Sequence, residues 1–251
     1  MNKTGIEWCD YTWNPITGCQ PISRGCDNCY ARRLANRMRG RFGYPADNPM
    51  EVTFHRKRID EPSEVKRPSR IFVCSMGDAF HYNVGKEWME EIVDVTQIYR
   101  DHTYIFLTKR PNNIDDIFPN IPTPDNIWFG FTAEDTGTFH NRLGAFHDQR
   151  RVQEAPVRFI SFEPLLESIL YFRDIEAYIK RWHSTIWMTF INWIIVGGET
   201  GPGARPMDAS WARDIRDYCG DNEIPFFFKQ MGGREPTPLD LEIREWPTPE
   251  Q

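Results

Sequence analysis

Nowhere in its 251 residues does the chain carry an apolar run of the roughly eighteen residues that would span a bilayer. The opening Met1-Asn2-Lys3-Thr4-Gly5-Ile6-Glu7-Trp8 also lacks the apolar core of a signal peptide, so the expectation is a cytoplasmic protein. The six histidines show no H-x-x-H or H-E-x-x-H spacing, which excludes a histidine metal site as a reading of the sequence. No Gly-Lys-Ser/Thr follows a glycine-rich loop, which excludes a nucleotide P-loop. Cysteines number only six, and in a cytosolic chain they are expected to be reduced, metal-bound or catalytic rather than a disulfide framework. A net charge of -6 argues against a surface that coats nucleic acid indiscriminately.

What is present is enough apolar material for a large core: 40% of residues are hydrophobic and 14% aromatic, which fits one domain spanning residues 1–251. The charge is uneven. Between Tyr30 and Arg70 eleven Lys or Arg face five acids, a net of +6, which leaves -12 for the rest. Ala31, Leu34, Ala35 and Met38 recur at helical spacing, predicting a basic amphipathic helix over 30–41. The Pro- and charge-rich residues 42–69 read as an irregular connection.

Short apolar runs then recur at Ile71-Phe72-Val73-Cys74, Tyr104-Ile105-Phe106-Leu107, Ile127-Trp128-Phe129-Gly130-Phe131, Val157-Arg158-Phe159-Ile160, Trp193-Ile194-Ile195-Val196 and Pro225-Phe226-Phe227-Phe228. Their starts lie 33, 23, 30, 36 and 32 residues apart, the length of a strand plus a return helix, with helices expected over 86–100 and 210–219. Continuous apolar strands alternating with helices mean a parallel sheet covered on both faces. With a strand around Trp8, Tyr11 and Trp13, the expected fold is an α/β, complete or partial (βα) barrel of about six to seven parallel strands. Every run ends in polar residues, and in parallel βα folds the site forms where the strands finish. The six ends describe a polar, glycine-lined mouth. An aromatic helix over 175–193, bearing Tyr178, Trp182, Trp187, Phe190 and Trp193, reads as core packing or as a base-stacking surface.

Cys19, Cys26 and Cys29 stand in a C-x6-C-x2-C spacing within the Gly- and Pro-broken loop 14–30, which can point three sulfurs at one centre. Two readings stay open. With Cys9 as a fourth ligand the set is a structural zinc knuckle; without it, three thiolates suit a [4Fe-4S] cluster with one iron left free.

The stretch Ile6-Glu7-Trp8-Cys9-Asp10-Tyr11-Thr12-Trp13-Asn14-Pro15, the cysteine triad with Tyr30-Ala31, Trp128-Phe129-Gly130 with Glu134, Phe162-Glu163-Pro164-Leu165, and Val196-Gly197-Gly198-Glu199 with Arg205-Pro206 together resemble the phage-encoded three-cysteine-motif proteins. That branch is similar to radical S-adenosylmethionine (SAM) enzymes, and the resemblance covers nearly the whole chain. It implies a phage-encoded, radical SAM-like partial barrel acting in the host cytoplasm. Cys19, Cys26 and Cys29 would hold the cluster, and its free iron would chelate the amino and carboxylate groups of SAM. Reduction by an external electron donor would release a 5'-deoxyadenosyl radical that abstracts hydrogen from substrate. The first gap is six residues where the commonest pattern has three, and the aromatic follows the last cysteine, as Tyr30, where that pattern has one just before it, here Asn28.

By position, Asp78 with Ser75 and Gly77 takes the place of the usual Gly-Gly-Glu that holds the SAM amino group. By resemblance Thr132 and Glu134 reach the SAM ribose; as bare residues they cap a helix equally well. Gly197, Gly198 and Glu199 form either a tight turn needing positive φ or a nest and carboxylate for SAM or substrate. Lys109, Arg110, Glu163, Arg205 and Lys229 are each paired, solvated or in contact with a ligand, with Lys109 and Glu163 the catalytic candidates. Cys74 and Cys219 read as core thiols, with Cys74 also a candidate hydrogen donor to a product radical. The resulting expectation is a radical SAM enzyme that modifies or rearranges a nucleic-acid base, DNA favoured, the specific form being isomerisation of a hypermodified thymine in phage DNA. The alternatives are the same chemistry on tRNA or a peptide, and a zinc-binding partner protein that catalyses nothing.

Overall fold

The computed structural model describes residues 1–183 and 188–248. Strands β1 (Asn2–Lys3), β2 (Tyr11–Trp13) and β3 (Ile16–Thr17) lead through the cysteine loop to helix α1 (Tyr30–Arg37), then β4 (Thr53–Phe54) and β5 (Arg70–Val73). Next come α2 (Lys86–Ile98), β6 (Thr103–Thr108), α3 (Ile114–Ile117), β7 (Ile127–Thr132), α4 (Thr136–His147), α5 (Arg150–Gln153) and β8 (Arg158–Phe162). The chain continues with α6 (Leu170–Arg173), α7 (Ile175–Trp182), β9 (Trp193–Val196), α8 (Ala209–Asp221) and β10 (Phe226–Phe228).

The main sheet runs β1-β2-β5-β6-β7-β8-β9-β10. Only β1 is antiparallel, so seven parallel strands curl into a half-barrel. Period-two alternation gives the sheet two apolar faces. Ile71 and Val73, Tyr104 and Phe106, Phe129 and Phe131, Ile160 and Phe162, Ile194 and Val196, and Phe226 and Phe228 face the helices in one core. The residues that alternate with them, Phe72, Ile105, Trp128, Phe159, Trp193, Ile195 and Phe227, join Trp8 and Cys9 in a second core on the concave face. The gap between β10 and the N-terminus is covered by the C-terminal segment: Phe228 N donates to Ile243 O at 2.9 Å, and Arg244 reaches Glu7 at 2.8 Å. An exposed ladder edge is thereby occupied.

Two helices end earlier than their apolar spacing predicts. α1 stops at Arg37, capped by Met38, and Gly40, Phe42 and Gly43 beyond it take left-handed backbone and turn the chain back. α7 stops at Trp182, capped by His183 at φ 50. Trp193 is not helical; it opens β9 and points into the concave core. Tyr178 is fully buried and Trp182 stacks on His140 at 4.2 Å, which favours packing over a base-stacking face; Trp187 lies outside the described residues.

Beneath the turn after α1, buried His55 shares a 2.7 Å hydrogen bond with Thr17 Oγ1. Burial, reinforced by Arg58, pushes its pKa from 6.5 down to about 4. The unfolded chain therefore takes up this proton first, so stability is full above pH 6.5 and declines as pH falls toward 4. His55→Gln, which keeps a hydrogen-bonding group toward Thr17, is expected to flatten the dependence of unfolding free energy on pH across that window in denaturant titrations. An unchanged slope would remove His55 as its source.

Candidate active site

The strand ends and the cysteine loop enclose one cavity of about 380 Å³ at the C-terminal edge of the half-barrel. Its apolar wall is Phe72 and Leu107, which the alternation of β5 and β6 turns inward, with Trp8 from the segment before β2. Its polar side gathers Ser75, Gly77 and Asp78 after β5, Lys109 after β6, Thr132 at β7, Ser161 and Glu163 at β8, Gly198 and Glu199 after β9, and Lys229 and Gln230 after β10. Cys19, Cys26, Cys29 and Tyr30 line it from the loop. Most of the residues nominated from sequence thus meet in one space. Cys74, Glu134 and Gly197 do not line it.

The loop is brought to the mouth by backbone pairing. Gly18 bridges Gly77 in parallel, and Gly18 N donates to Met76 O at 3.0 Å. Gly18 sits at φ 91 with Glu51 O only 2.1 Å from where a Cβ would be, so no other residue fits.

Carboxylates from three strand ends then hold the loop. Asp78 accepts from Thr108 Oγ1 at 2.7 Å and from Arg110 Nη1 at 2.8 Å; the same guanidinium donates to Cys19 Sγ at 3.4 Å and Gln20 O at 2.7 Å. Glu134, fully buried, accepts from Ser23 Oγ at 2.7 Å, Arg142 at 3.0 Å and Lys109 Nζ. Glu199 accepts from Asn28 at 2.8 Å and is gripped by both arms of Arg205, whose guanidinium also reaches Arg24 O at 2.8 Å. Burial raises the Glu199 carboxyl, but hydrogen bonds from Arg205 and Asn28 outweigh it and hold its pKa below the usual range.

Lys229 Nζ lies 2.9 Å from Glu163 Oε1, an ion-pair distance without aligned hydrogen-bond geometry, and Ser161 Oγ donates to Glu163 Oε2 at 3.2 Å. All five charged strand-end residues weighed from sequence are therefore paired: Lys109, Arg110, Glu163, Arg205 and Lys229. The helix-capping alternative for Thr132 and Glu134 gives way to Asp135, which caps α4 through a box with Thr138. Gly197 and Gly198 are not in left-handed backbone, so no positive-φ turn explains them. Instead Gly197 spends its N–H on Phe162 O and its carbonyl on Leu165 N, and Gly198 lies against the backbone of Gly232.

The cysteines differ sharply. Cys9 is 5% exposed in the concave core, its thiol 3.8 Å from Ile6 O, and burial pushes its pKa up to about 12. Burial likewise raises Cys19 to about 11 despite Arg110. Cys26 feels burial too, but Lys109 and hydrogen bonds around Ser23 bring it below its ordinary value. Cys74 is a buried core thiol in left-handed backbone at φ 60, raised by burial to about 12. Cys219 is buried in the helix-side core. Among the described residues, no three His, Cys, Asp or Glu side chains are gathered closely enough to hold a metal ion. The donor chemistry nevertheless suits an iron–sulfur cluster. Three thiols from one loop share one cavity, a cation donates to one of them, and the other N-terminal thiol is occupied elsewhere. Ser23, Asn28, Arg142 and Trp8 were not among the site candidates read from sequence; Asn28 meets Glu199 across 171 residues, a partner no local signal marks.

Among solved structures, a cysteine-to-serine mutant of spore photoproduct lyase matches with a TM-score of 0.51 at 11% identity, covering 89% of this chain and 64% of that one. A second structure, a double mutant of spore photoproduct lyase with bound AdoMet and dinucleoside spore photoproduct, matches with a TM-score of 0.49 at 11% identity, covering 86% and 62%. The chain spans less than two thirds of the length of these proteins, and at such identity the likeness is one of fold, the parallel half-barrel. No curated protein matches the chain. Residues 3–243 match the family described as protein of unknown function (DUF5131), and with that match over nearly its whole length the chain belongs to that family.

Proposed function

We propose that this protein is a radical SAM enzyme that modifies or rearranges a nucleic-acid base. The resemblance to phage three-cysteine-motif proteins narrows this to isomerisation of a hypermodified thymine in phage DNA. One observation carries the reading: Cys19, Cys26 and Cys29 share a cavity with the ends of six parallel strands while Cys9 is buried elsewhere. A structural zinc site uses four ligands, whereas three thiolates leave a [4Fe-4S] cluster one open iron. When bound, that cluster supplies the electron that cleaves SAM to a 5'-deoxyadenosyl radical.

The chain's own residues supply position and exclusion of water. Asp78, Glu134 and Glu199 are already engaged by cations, so in this reading they act by holding Arg110, Lys109 and Arg205 against the loop. Tyr30, Ser75, Gly77, Thr132 and Gly198 then offer the polar lining for SAM, with Gly197 supporting from behind. Glu163 Oε1, buried and without an aligned donor, is poised to accept a hydrogen bond from substrate, beside Lys229. Trp8 and Phe72, their rings tilted 52° to each other, provide an apolar wall against which a base can pack. Cys74 lies outside the cavity, so its contribution is core packing.

Anaerobic reconstitution with iron and sulfide is expected to give brown protein holding about four irons and cleaving SAM on reduction. Colourless protein with one zinc, unchanged by iron and sulfide, would overturn the enzyme reading. The nucleic-acid half predicts that binding to DNA weakens steeply with salt. Comparing the nucleosides of phage DNA made with and without the gene then identifies the base.

A further inference from the structure

The turn that follows α1 is built more rigidly than a connection requires. Gly40 N donates to Tyr44 O and Tyr44 N to Arg41 O, each at 3.0 Å, and Arg58 Nη2 donates to Phe42 O at 2.5 Å. Gly43 packs so closely on His55 that a Cβ there would lie 2.7 Å from Nδ1. From this frame Phe42 projects with 72% of its surface exposed and its backbone left-handed at φ 54. A large aromatic gains little for folding when left in water, and left-handed backbone is disfavoured for any residue with a Cβ. Strain of this kind persists where surroundings enforce it and concentrates where function uses it.

Several charges around it have no carboxylate partner among the described residues. Among the described residues, Arg32, Arg37, Arg39 and Arg41 form no ion pair; Arg39 and Arg41 donate only to side-chain or backbone oxygens of Asn36, Ala46, Asp47 and Arg37. A group of unneutralised guanidiniums on α1 and the turn after it, together with a fixed, exposed aromatic ring, matches a polyanion that carries flat, stackable groups.

We infer that Phe42 is a stacking wedge for nucleic acid: Arg32, Arg37, Arg39 and Arg41 take phosphates, and the ring enters the base stack. This rests on the base-modifying reading and names the surface that reading requires. Tyr30 and Ala31, at the start of α1, line the cavity. Helix α1 carries the chain from this cavity rim to the turn that bears Phe42.

The test uses the full chain and oligonucleotides carrying 2-aminopurine, whose fluorescence rises on unstacking. Wild type is expected to raise that signal at positions flanking the target. Phe42→Ala should weaken binding about tenfold and abolish the signal without changing the salt slope, and Phe42→Tyr should restore both. Arg39→Ala with Arg41→Ala should lower the salt slope by about two. Phe42→Gly relieves the backbone, so it should raise the melting temperature while weakening binding, a combination that a structural role does not produce. Phe42→Ala and Phe42→Gly binding like wild type, or no unstacking signal from wild type, would overturn the wedge. Wild type that cleaves SAM yet binds no nucleic acid would sink the wedge and leave the radical chemistry standing. Phe42-dependent binding without SAM cleavage would do the reverse.

Discussion

Cys19→Ala, Cys26→Ala and Cys29→Ala are each expected to lose both iron and SAM cleavage, whereas Cys9→Ala keeps both. The contrast follows from position. Cys19, Cys26 and Cys29 line the cavity, and removing one leaves two thiolates where three are needed. Cys9 packs with Trp8 and Phe72 and directs its thiol at a backbone carbonyl, so its loss costs about 1 kcal/mol of packing. Arg110→Ala provides the graded comparison. It deletes the donor to Cys19 Sγ without deleting a thiol, and a supporting residue of that kind is worth about 10–100-fold in affinity or activity. Iron content and SAM turnover after anaerobic reconstitution read all five variants. Equal loss in all four cysteine variants would favour zinc with four ligands, and retention of iron in any of the three loop variants would overturn the assignment.

How far these positions were legible in the sequence depends on the distance over which each signal acts. The strands were legible because every second residue faces the concave core, and a run such as Tyr104-Ile105-Phe106-Leu107 needs apolar groups on both faces. The mouth was legible because polar residues at strand ends are local features. Trp193 was read both as the start of the strand run Trp193-Ile194-Ile195-Val196, where it lies, and as the end of an aromatic helix, because aromatic spacing alone does not separate a helix face from the first inward position of a strand. The anchoring of the loop was not legible at all. Asn28 meets Glu199 across 171 residues and Ser23 meets Glu134 across 111, and neither side chain carries a local mark of its partner. The strand-end carboxylates were nominated as SAM or substrate residues; their hydrogen bonds to the cysteine loop and its cations were not foreseen.

Glu134 makes that distinction measurable. It is fully buried, and its two oxygens take Lys109, Arg142 and Ser23, so one carboxylate balances two cations and holds the loop between Cys19 and Cys26. Glu134→Gln keeps the shape but removes the charge, leaving Lys109 and Arg142 facing an amide. Breaking a buried pair in this way costs about 3–5 kcal/mol, or on the order of 10 °C in melting temperature for a chain of this size. With Ser23 released from a charged acceptor, Cys26 should react faster with a thiol reagent in the cluster-free protein. Glu134→Asp keeps the charge and should recover part of the melting temperature. If Glu134 instead served chiefly as a ligand for the SAM ribose, Glu134→Gln would weaken SAM binding with the melting temperature and thiol reactivity unchanged. Thermal unfolding and thiol kinetics, measured without SAM present, separate the two. A change within about 2 °C and no gain in Cys26 reactivity would remove Glu134 as the anchor of the loop.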